Sequence, residues 1–384
     1  MSQHERPLFE VYPALRDRLP WTPLATLPTP VQRLSNLGST EGIPNLYIKR
    51  DDLTSPLYGG NKLRKLEFLL AEARRRHART VITAGGAGSN HALATTIYAA
   101  KLGLRTALML VDQPVARCVG TNLLLDRHYG ARLCKTSLLA FPLRLVYVGL
   151  TATDWRRLRP PYYIPFGGSS PLGCLGYVNA ALELRKQVDD GILPQPDYIH
   201  VAAGTTGTAT GLTLGLRLAR LQTQVVAVRV TDKRLCSRTK MSRLASRTSA
   251  LLTSLDPSIP AVTVSPGEVT MLDDFIGQRY GQFTPEGMEA VRLMAEQENI
   301  RLEGTYTGKA LAGALDFIKS NGLQDRHHLF WNTYNSADIS HLVRDMDYRD
   351  LPRAFHRYFR SPCQDLDTAW QEPAESQMSQ PTNP

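Results

Sequence analysis

Two separate stretches of the sequence repeat one order of elements: a short apolar strand, a glycine-rich turn and an apolar helix. The first comprises Thr80–Ala84 and the turn 85–91, and the second comprises Tyr198–Ala203 and the turn 204–208. Strands that alternate with helices in this way predict parallel sheets covered by helices. We therefore expect an α/β protein whose ligands lie beyond the carboxyl ends of the strands, where these turns fall.

Lys62 follows a pair of glycines and stands at the start of another helix, which precedes both of these stretches in the sequence. The segment Gly59–Lys62 precedes apolar residues at helical spacing from Leu63 to Ala73, so a helix is predicted to begin near Lys62. The positive end of that helix and partial burial both favour the neutral amine. A neutral lysine is a nucleophile, and its common covalent partner is an aldehyde cofactor, bound as a Schiff base. This stretch alone leaves open a solvated surface lysine.

Both glycine-rich turns are suited to binding anions. The later turn offers consecutive backbone N–H groups, three hydroxyls and a helix N-terminus, which favour a phosphate. It consists of Gly204, Thr205, Thr206, Gly207 and Thr208. The earlier turn contains Ser89 and Asn90, whose side chains together with backbone amides favour a carboxylate. An ordinary tight connection is the alternative for the later turn, because it matches neither a P-loop nor the Gly-x-Gly-x-x-Gly pattern.

The combination of these features is more informative than any one of them. An aldehyde-binding lysine, a phosphate turn and a carboxylate turn are what a pyridoxal phosphate enzyme needs for an amino acid substrate. Tyr280 and Tyr306 lie near glycines and are further candidates, because a tyrosine in a closed site can protonate a leaving group. The sequence therefore predicts pyridoxal 5′-phosphate as the cofactor and a small amino acid as the substrate.

Length, charge and cysteine content exclude several other classes. The 384 residues are 42% hydrophobic, enough for one large or two medium domains. No run approaches ~18 apolar residues and the N-terminus lacks a signal region, so we expect a cytoplasmic protein with no membrane partner. Five scattered cysteines indicate reduced thiols and no metal site. The net charge of +10 lacks the aromatic interleaving of a nucleic-acid surface, so we expect it to attract anionic small molecules.

The candidate residues belong to longer blocks that occur in one order along the chain. Through them the chain resembles the 1-aminocyclopropane-1-carboxylate deaminase and D-cysteine desulfhydrase family of pyridoxal phosphate enzymes, from Leu27 to Thr333. The blocks are Ile48–Leu53, Gly59–Lys62, Ser89–His91, Asn122–Arg127, Pro171–Gly173, Thr284–Gly287 and Tyr306–Lys309. Several separate blocks in one order are far more specific than any single motif.

The resemblance implies fold type II, the architecture of the tryptophan synthase β subunit. Two open, twisted α/β domains hold the cofactor in the cleft between them. The large cofactor-anchoring domain would comprise residues 1–64 and 176–360, and the small domain residues 65–175. A homodimer is also implied. The composition of residues 361–384, rich in Gln, Ser, Pro and Glu, predicts a disordered tail.

The resemblance also implies a role for each candidate residue. Lys62 would carry the cofactor, and Asn90 would hold its phenolic oxygen. The other cofactor-binding residues would be Lys65, Gly204, Thr205, Thr206, Gly207, Thr208, Thr307 and Thr333. The catalytic residues would be Lys62, Ser89, Tyr280 and Tyr306. Ser89 would bind the substrate carboxylate, and the tyrosines would line the substrate pocket.

Thr307 and Thr333 distinguish between the two reactions of the family. The deaminase branch typically has Glu and Leu at these positions, whereas the desulfhydrase branch has small hydroxyl residues. A carboxylate keeps the ring nitrogen of the cofactor protonated and makes it a stronger electron sink than a neutral hydroxyl does. Release of sulfide needs less stabilisation than opening of a cyclopropane. The threonines therefore favour β-elimination from D-cysteine to pyruvate, ammonia and sulfide. Deamination of the cyclopropane amino acid to 2-oxobutanoate and ammonia is the alternative.

Some positions depart from the family pattern. Gly88 replaces the usual Gln before Ser89, and Gly304 and Thr305 replace Pro-Val. The usual His-Thr-Gly-Gly after the last strand is here the segment Asn332–Asn335. A tyrosine beside the cofactor ring, at position 334, would reshape the pocket. These departures prompt a further alternative, a pyridoxal phosphate-binding protein that has lost catalysis.

Overall fold

The computed structural model describes residues 6–369, and the ranges 1–5 and 370–384 lie outside the described residues. The strands are β1 Val31–Arg33, β2 Leu46–Arg50, β3 Thr80–Gly86, β4 Arg105–Val111, β5 Arg132–Lys135, β6 Tyr162–Ile164, β7 Tyr198–Ala203, β8 Gln224–Arg229, β9 Thr270–Leu272 and β10 His328–Asn332. The helices are α1 Pro7–Val11, α2 Ser35–Glu41, α3 Lys62–Arg75, α4 Asn90–Lys101, α5 Arg117–His128, α6 Phe141–Ala152, α7 Pro171–Asp189, α8 Gly207–Leu218, α9 Arg238–Leu255, α10 Pro285–Glu298, α11 Thr307–Ser320, α12 Arg357–Arg360 and α13 Asp365–Ala369. Within residues 6–369, no helix is long and apolar enough to cross a membrane.

The strands form two sheets in which parallel pairing dominates. The larger sheet has the order β1-β2-β10-β7-β8-β9, and β1 pairs with β2 in the antiparallel direction. The smaller sheet has the order β5-β4-β3-β6 and is parallel in each of these pairs. Both sheets carry apolar clusters and helices on two faces, as parallel sheets require. The predicted α/β class is confirmed.

A buried ionic network fixes α3 against the larger sheet and α7. The Arg64 guanidinium binds Asp51 at 2.7 Å and Glu183 at 2.8 Å, and Lys49 Nζ binds Glu183 at 2.6 Å. Burial raises the pKa of Glu183, but the charges of Arg64 and Lys49 outweigh burial and hold that pKa well below its usual range. Because these charges are paired and hydrogen-bonded, their burial is tolerated. The network anchors the first turn of α3, which carries Arg64.

The predicted domain division stays a prediction. The smaller sheet lies within residues 80–164, inside the predicted small domain, and the larger sheet is formed by residues outside it. The predicted boundaries at 64/65 and 175/176 fall inside α3 and α7. These helices touch so closely that a Cβ on Gly176 would lie 2.3 Å from the carbonyl oxygen of Arg64.

The predicted disordered tail is wrong in its first part. Residues 365–369 form α13, and Asp367 accepts a hydrogen bond from the Arg117 backbone N–H at 2.7 Å. Cys363 and Leu366 pack against an apolar cluster around α5. These few apolar anchors are hidden in a mostly polar composition, which is why the sequence pattern missed them. The remainder of the predicted tail, 370–384, lies outside the described residues.

Candidate active site

Lys62 stands at a corner of the chain that requires glycine. Gly60 has a φ of +96°, and a Cβ there would lie 2.8 Å from the carbonyl oxygen of Tyr334. The Asn61 N–H donates to the carbonyl oxygen of Thr333 at 3.2 Å. The corner is therefore built against the segment after β10, and α3 begins at Lys62 as the helical spacing predicts.

The amine of Lys62 is held in conditions that favour its neutral form. Its Nζ donates to Asn61 Oδ1 at 2.8 Å. Burial and then the nearby charge of Lys65 hold the pKa of Lys62 well below its usual value, and the carboxylate of Glu303 opposes them only in part. A partly buried lysine of lowered pKa is suited to act as a nucleophile and as a base.

The turn between β7 and α8 is the segment in which an anion cradle is predicted. Thr206 has a φ of +67°, an unusual conformation for a residue with a Cβ and one that is concentrated at functional sites. The Gly207 N–H donates to Ser169 Oγ at 3.1 Å, and Ser169 Oγ lies 2.8 Å from Thr205 Oγ1. Ser169 was not predicted as a site residue, although the glycine pair before it in the sequence was a usable signal.

Lys65 places a second amine beside this cradle. A Cβ on Gly207 would lie 3.1 Å from Lys65 Nζ, so the amine faces the N-terminus of α8. Lys65 Nζ also donates to the carbonyl oxygen of Gly167 at 3.1 Å. Burial lowers the pKa of Lys65 to about 8. Thr208 Oγ1 accepts a hydrogen bond from Asn61 Nδ2 at 3.0 Å, which connects the cradle to the lysine corner.

The turn between β3 and α4 places Ser89 and Asn90 at a helix N-terminus. Ser89 Oγ accepts the Ala92 N–H at 3.3 Å and caps α4. Asn90 Oδ1 accepts hydrogen bonds from the Tyr58 hydroxyl at 3.3 Å and from Asn122 Nδ2 at 3.2 Å. Asn90 is thus held by two neighbours. Neither Tyr58 nor Asn122 was predicted to support the site, but Asn122 belongs to one of the recognised sequence blocks.

Tyr280 and Tyr306 form a direct pair. Their hydroxyl oxygens are 2.5 Å apart, and burial raises the pKa of Tyr280 to about 12 and that of Tyr306 well above its usual value. The loop that carries Tyr280 is held by Lys309, whose Nζ donates to the carbonyl oxygens of Ile276 at 2.6 Å and Gln282 at 2.5 Å. Both phenols are therefore neutral and held in place.

Thr307 begins α11 beside an acid that sequence reasoning missed. Glu303 accepts the backbone N–H groups of Thr305, Tyr306 and Thr307 at 2.8, 2.6 and 2.9 Å. Burial raises the pKa of Glu303, and these three bonds oppose the rise. Thr307 Oγ1 accepts the Glu303 N–H at 2.9 Å. An acid just before a predicted helix is a capping signal, so Glu303 could have been found.

The two residues that replace the usual glycines have different surroundings. Tyr334 lies at the cavity, with the Arg301 guanidinium 5.8 Å from its ring centre. Asn335 is buried, and its Oδ1 accepts the N–H groups of Gly59 at 2.7 Å and Ala337 at 3.1 Å. Asn335 therefore supports the lysine corner, and Tyr334 is the departure that shapes the pocket.

The predicted site residues surround one cavity of about 200 Å³. They are Lys62, Lys65, Ser89, Asn90, Gly204, Thr205, Thr206, Gly207, Thr208, Tyr280, Tyr306, Thr307 and Thr333. Glu303, Tyr334 and Leu138 line the same cavity. Residues from both sheets and from widely separated parts of the sequence are thus brought together. Their individual roles stay predictions.

Comparison with known proteins decides the family. Residues 23–333 match the family described as pyridoxal-phosphate dependent enzyme. The chain belongs to the pyridoxal-phosphate dependent enzyme family. D-cysteine desulfhydrase of Yersinia enterocolitica is 38% identical over 303 residues, 77% of this chain and 88% of that protein. D-cysteine desulfhydrase of Klebsiella pneumoniae is 36% identical over 314 residues, 80% of this chain and 91% of that protein.

A solved structure of an ACC deaminase homologue has the same fold as this pyridoxal-phosphate dependent enzyme. It is 32% identical, with a TM-score of 0.71, and the match covers 87% of this chain and 96% of that chain. The fold is therefore type II, as predicted. The predicted cofactor, pyridoxal 5′-phosphate, is that of the family.

The cavity fits this cofactor. Because residue 207 lacks a Cβ, Ser169 Oγ and Lys65 Nζ can approach the start of α8: a Cβ there would lie 2.5 Å from Ser169 Oγ and 3.1 Å from Lys65 Nζ. Backbone N–H groups at a helix N-terminus beside the Lys65 amine suit a phosphate. Lys62, with its lowered pKa, lines the same cavity and suits the aldehyde. Lys62, Lys65, Asn90 and the Gly204–Thr208 turn would therefore hold the cofactor.

Proposed function

We propose that this family member breaks the carbon–sulfur bond of D-cysteine and yields pyruvate, ammonia and sulfide. The relatives from Yersinia and Klebsiella, which match over at least 77% of this chain, carry the name of that activity. The observation that carries the proposal is the pair of hydroxyls, of Thr307 and Thr333, at the cavity that also holds Lys62. Neutral hydroxyls at these positions support elimination of a good leaving group.

Lys62 is proposed to take the proton from the substrate α-carbon. Its Nζ is a base only when neutral, and burial and the charge of Lys65 keep its pKa well below the usual value. When bound, pyridoxal phosphate supplies the electron sink that stabilises the carbanion left by this transfer.

Ser89 is proposed to bind the substrate carboxylate. Its oxygen accepts the Ala92 N–H, so its own proton is available to donate to an anion. The N-terminus of α4 adds backbone N–H groups and a partial positive charge. This contact would orient the α-carbon toward Lys62.

The Tyr280–Tyr306 pair is proposed to protonate the leaving sulfur. When the carbon–sulfur bond breaks, the electron pair leaves with sulfur, which takes a proton from one phenol. The second phenol, 2.5 Å away, stabilises the charge that develops on the first. Water then completes the conversion of the remaining three-carbon unit to pyruvate and ammonia.

A pair of substrates tests these assignments. D-cysteine needs a proton on its leaving group, whereas β-chloro-D-alanine releases chloride without one. Tyr280→Phe and Tyr306→Phe should lower sulfide release by roughly 10²- to 10⁴-fold, the usual contribution of a general acid. Pyruvate formation from β-chloro-D-alanine should change little. Tyr47→Phe, on β2, is the matched control. Equal losses with both substrates would contradict the role of the pair.

The cyclopropane amino acid is the second candidate substrate, favoured by the likeness to the ACC deaminase homologue. The same purified enzyme should be assayed with D-cysteine, L-cysteine and 1-aminocyclopropane-1-carboxylate, and sulfide, pyruvate and 2-oxobutanoate should be measured. Faster release of 2-oxobutanoate than of sulfide from either cysteine enantiomer would overturn the proposed function.

We also propose that the enzyme is a cytoplasmic homodimer. All five cysteines are unpaired, as expected of a reducing compartment. Light scattering of the purified holoenzyme tests the dimer, and a monomeric mass would contradict it. Fractionation of cells tests the cytoplasmic location, and recovery of the enzyme with secreted protein would contradict that.

A further inference from the structure

Helix α6 is apolar on two opposite faces. One face packs on the smaller sheet: Val148 is fully buried, and Phe141, Leu145 and Ala152 pack around it. The other face points to solvent, where Leu143 is 79% exposed, and Leu139, two residues before the helix, is 94% exposed. Val146 and Leu150 continue this exposed stripe at helical spacing. A helix that is apolar on both faces is normally covered on both.

The exposed stripe continues into the loop that follows α6. Trp155 and Leu158 are 61% and 77% exposed. We call Leu139, Leu143, Val146, Leu150, Trp155 and Leu158 the α6 surface. Trp155 Nε1 donates to the carbonyl oxygen of Leu150 at 3.0 Å, so this loop lies beside the helix. Exposed apolar side chains that form a continuous patch mark a site of interaction with a protein or a membrane.

The exposed charged side chains on α6 and in the loop that follows it are all arginines. Arg144 lies on the helix, and Arg156 and Arg157 lie in the loop beside Trp155, all three exposed. The one acid between residues 138 and 158, Asp154, is paired with Arg79 at 3.4 Å. Whatever covers the surface must therefore accommodate several unneutralised arginines.

The arginines and the net charge favour an anionic lipid surface over a second copy of the chain as the partner that covers the α6 surface. A second copy of the chain would bring the same arginines together, and each chain carries a net charge of +10. An anionic lipid surface complements both the local arginines and the net charge. Aliphatic side chains in the centre with tryptophan and arginine at the rim are also the pattern of interfacial membrane helices.

We propose that the α6 surface docks the enzyme on an anionic lipid bilayer. The aliphatic stripe enters the boundary between headgroups and acyl chains, Trp155 lies at the headgroup level, and the arginines bind lipid phosphates or carboxylates. The predicted absence of a membrane partner rests on the lack of spanning segments, whereas peripheral binding needs none. The proposal does not depend on the proposed reaction, because these residues act outside the cofactor cavity.

Vesicle flotation of the holoenzyme tests the proposal. The chain should float with phosphatidylcholine vesicles that contain phosphatidylserine, and poorly with phosphatidylcholine alone. Val146→Glu with Leu150→Glu should abolish flotation, whereas Ile192→Glu, at an equally exposed apolar position elsewhere, should not. Each of Arg156→Gln and Arg157→Gln should weaken apparent vesicle affinity about fivefold. Trp155 fluorescence should shift to the blue on binding, and Trp155→Phe should remove that shift.

Turnover and circular dichroism of each variant confirm that it is folded. The absence of flotation with anionic vesicles overturns the proposal. Equal flotation of Val146→Glu/Leu150→Glu and Ile192→Glu also overturns it. A chain that does not float but forms an oligomer dissociated by the same double substitution would identify a second copy as the occupant, which again overturns lipid binding. The arginine variants give an independent result if the glutamates prevent folding.

Discussion

Removal of the Lys65 amine is expected to weaken cofactor binding while leaving the cofactor-free fold at least as stable. Lys65 Nζ faces the α8 N-terminus, 3.1 Å from the point where a Cβ on Gly207 would stand. A charge-assisted hydrogen bond from this amine to a phosphate contributes roughly 1.5–3 kcal/mol. Lys65→Met should therefore raise the dissociation constant of a phosphate ligand roughly tenfold to 150-fold.

The effect of the same substitution on stability has the opposite sign. Lys65 is 2% exposed, and burial lowers its pKa from 10.5 to about 8. A lowered pKa means that the protonated amine destabilises the cofactor-free fold at neutral pH, by about 3 kcal/mol. Methionine removes this cost, so the melting temperature of the cofactor-free variant should not fall.

The pH dependence follows from the same pKa. Below about pH 8 the Lys65 amine is protonated and attracts the phosphate fully. As pH rises through about 8, the free enzyme loses this proton, and phosphate affinity should fall about tenfold per pH unit. The phosphate itself is almost fully ionised above about pH 7 and does not contribute to this slope.

The assay should use 4-deoxypyridoxine phosphate, which lacks the aldehyde, so that reaction with Lys62 does not contribute. Calorimetric titration of the cofactor-free enzyme between pH 7 and pH 9 gives the affinity and its slope. Lys65→Arg should keep the affinity but lose the slope, because the guanidinium does not titrate in this range. Lys186→Met, on a half-exposed lysine of α7, is the control. Binding by Lys65→Met that matches the unaltered chain in strength and slope would refute the reasoning.

Three further substitutions test the site. Lys62→Ala should abolish the absorption band of lysine-bound cofactor, and borohydride reduction of the unaltered chain should label the peptide that contains Lys62; a label elsewhere would show that the assignment is wrong. Thr208→Val should weaken cofactor binding roughly ten- to hundredfold but leave turnover at saturating cofactor almost intact; unchanged affinity would contradict its place in the phosphate turn. Lys309→Met should lower sulfide release, because Lys309 holds the loop that carries Tyr280. Cofactor affinity, measured by spectroscopic titration, should not change; a parallel loss of cofactor binding would instead indicate a general structural defect.

The sequence predicted the elements that carry the site because their signals are local. Strand β7 was predicted with the bounds that the structure has, and α3, predicted to begin near Lys62, begins at that residue. Glycine turns and helical spacing are properties of neighbouring residues, so they can be read without knowing the fold. The short strands β1, β5, β6 and β9 have three or four residues each and were not predicted. Their pairing depends on neighbours distant in sequence.

Contacts between distant segments could not be read from the sequence. Asn335 was interpreted only as a departure from a family pattern, whereas its side chain binds the backbone of Gly59. Similarly, Gly88 replaces a usual Gln, and a Cβ there would lie 2.8 Å from Val119 Cγ2. The replacement fits the close approach of α5, which no local pattern reveals. Two apolar faces on α6 were likewise invisible until the sheet beneath one of them was known.

The Lys62 corner packs against the residues that follow β10. The corner can therefore fold only after the ribosome has synthesised those residues. The carbonyl oxygens of Thr333 and Tyr334 lie 2.9 and 2.8 Å from the point where a Cβ on Gly60 would stand, and Trp331 Nε1 donates to Asp51 at 2.7 Å. During translation, Lys62 leaves the ribosome long before Trp331, Thr333 and Tyr334 do. Cofactor capture is therefore a late event in biosynthesis, and a chain that terminates before β10 should remain colourless however much cofactor the cell provides.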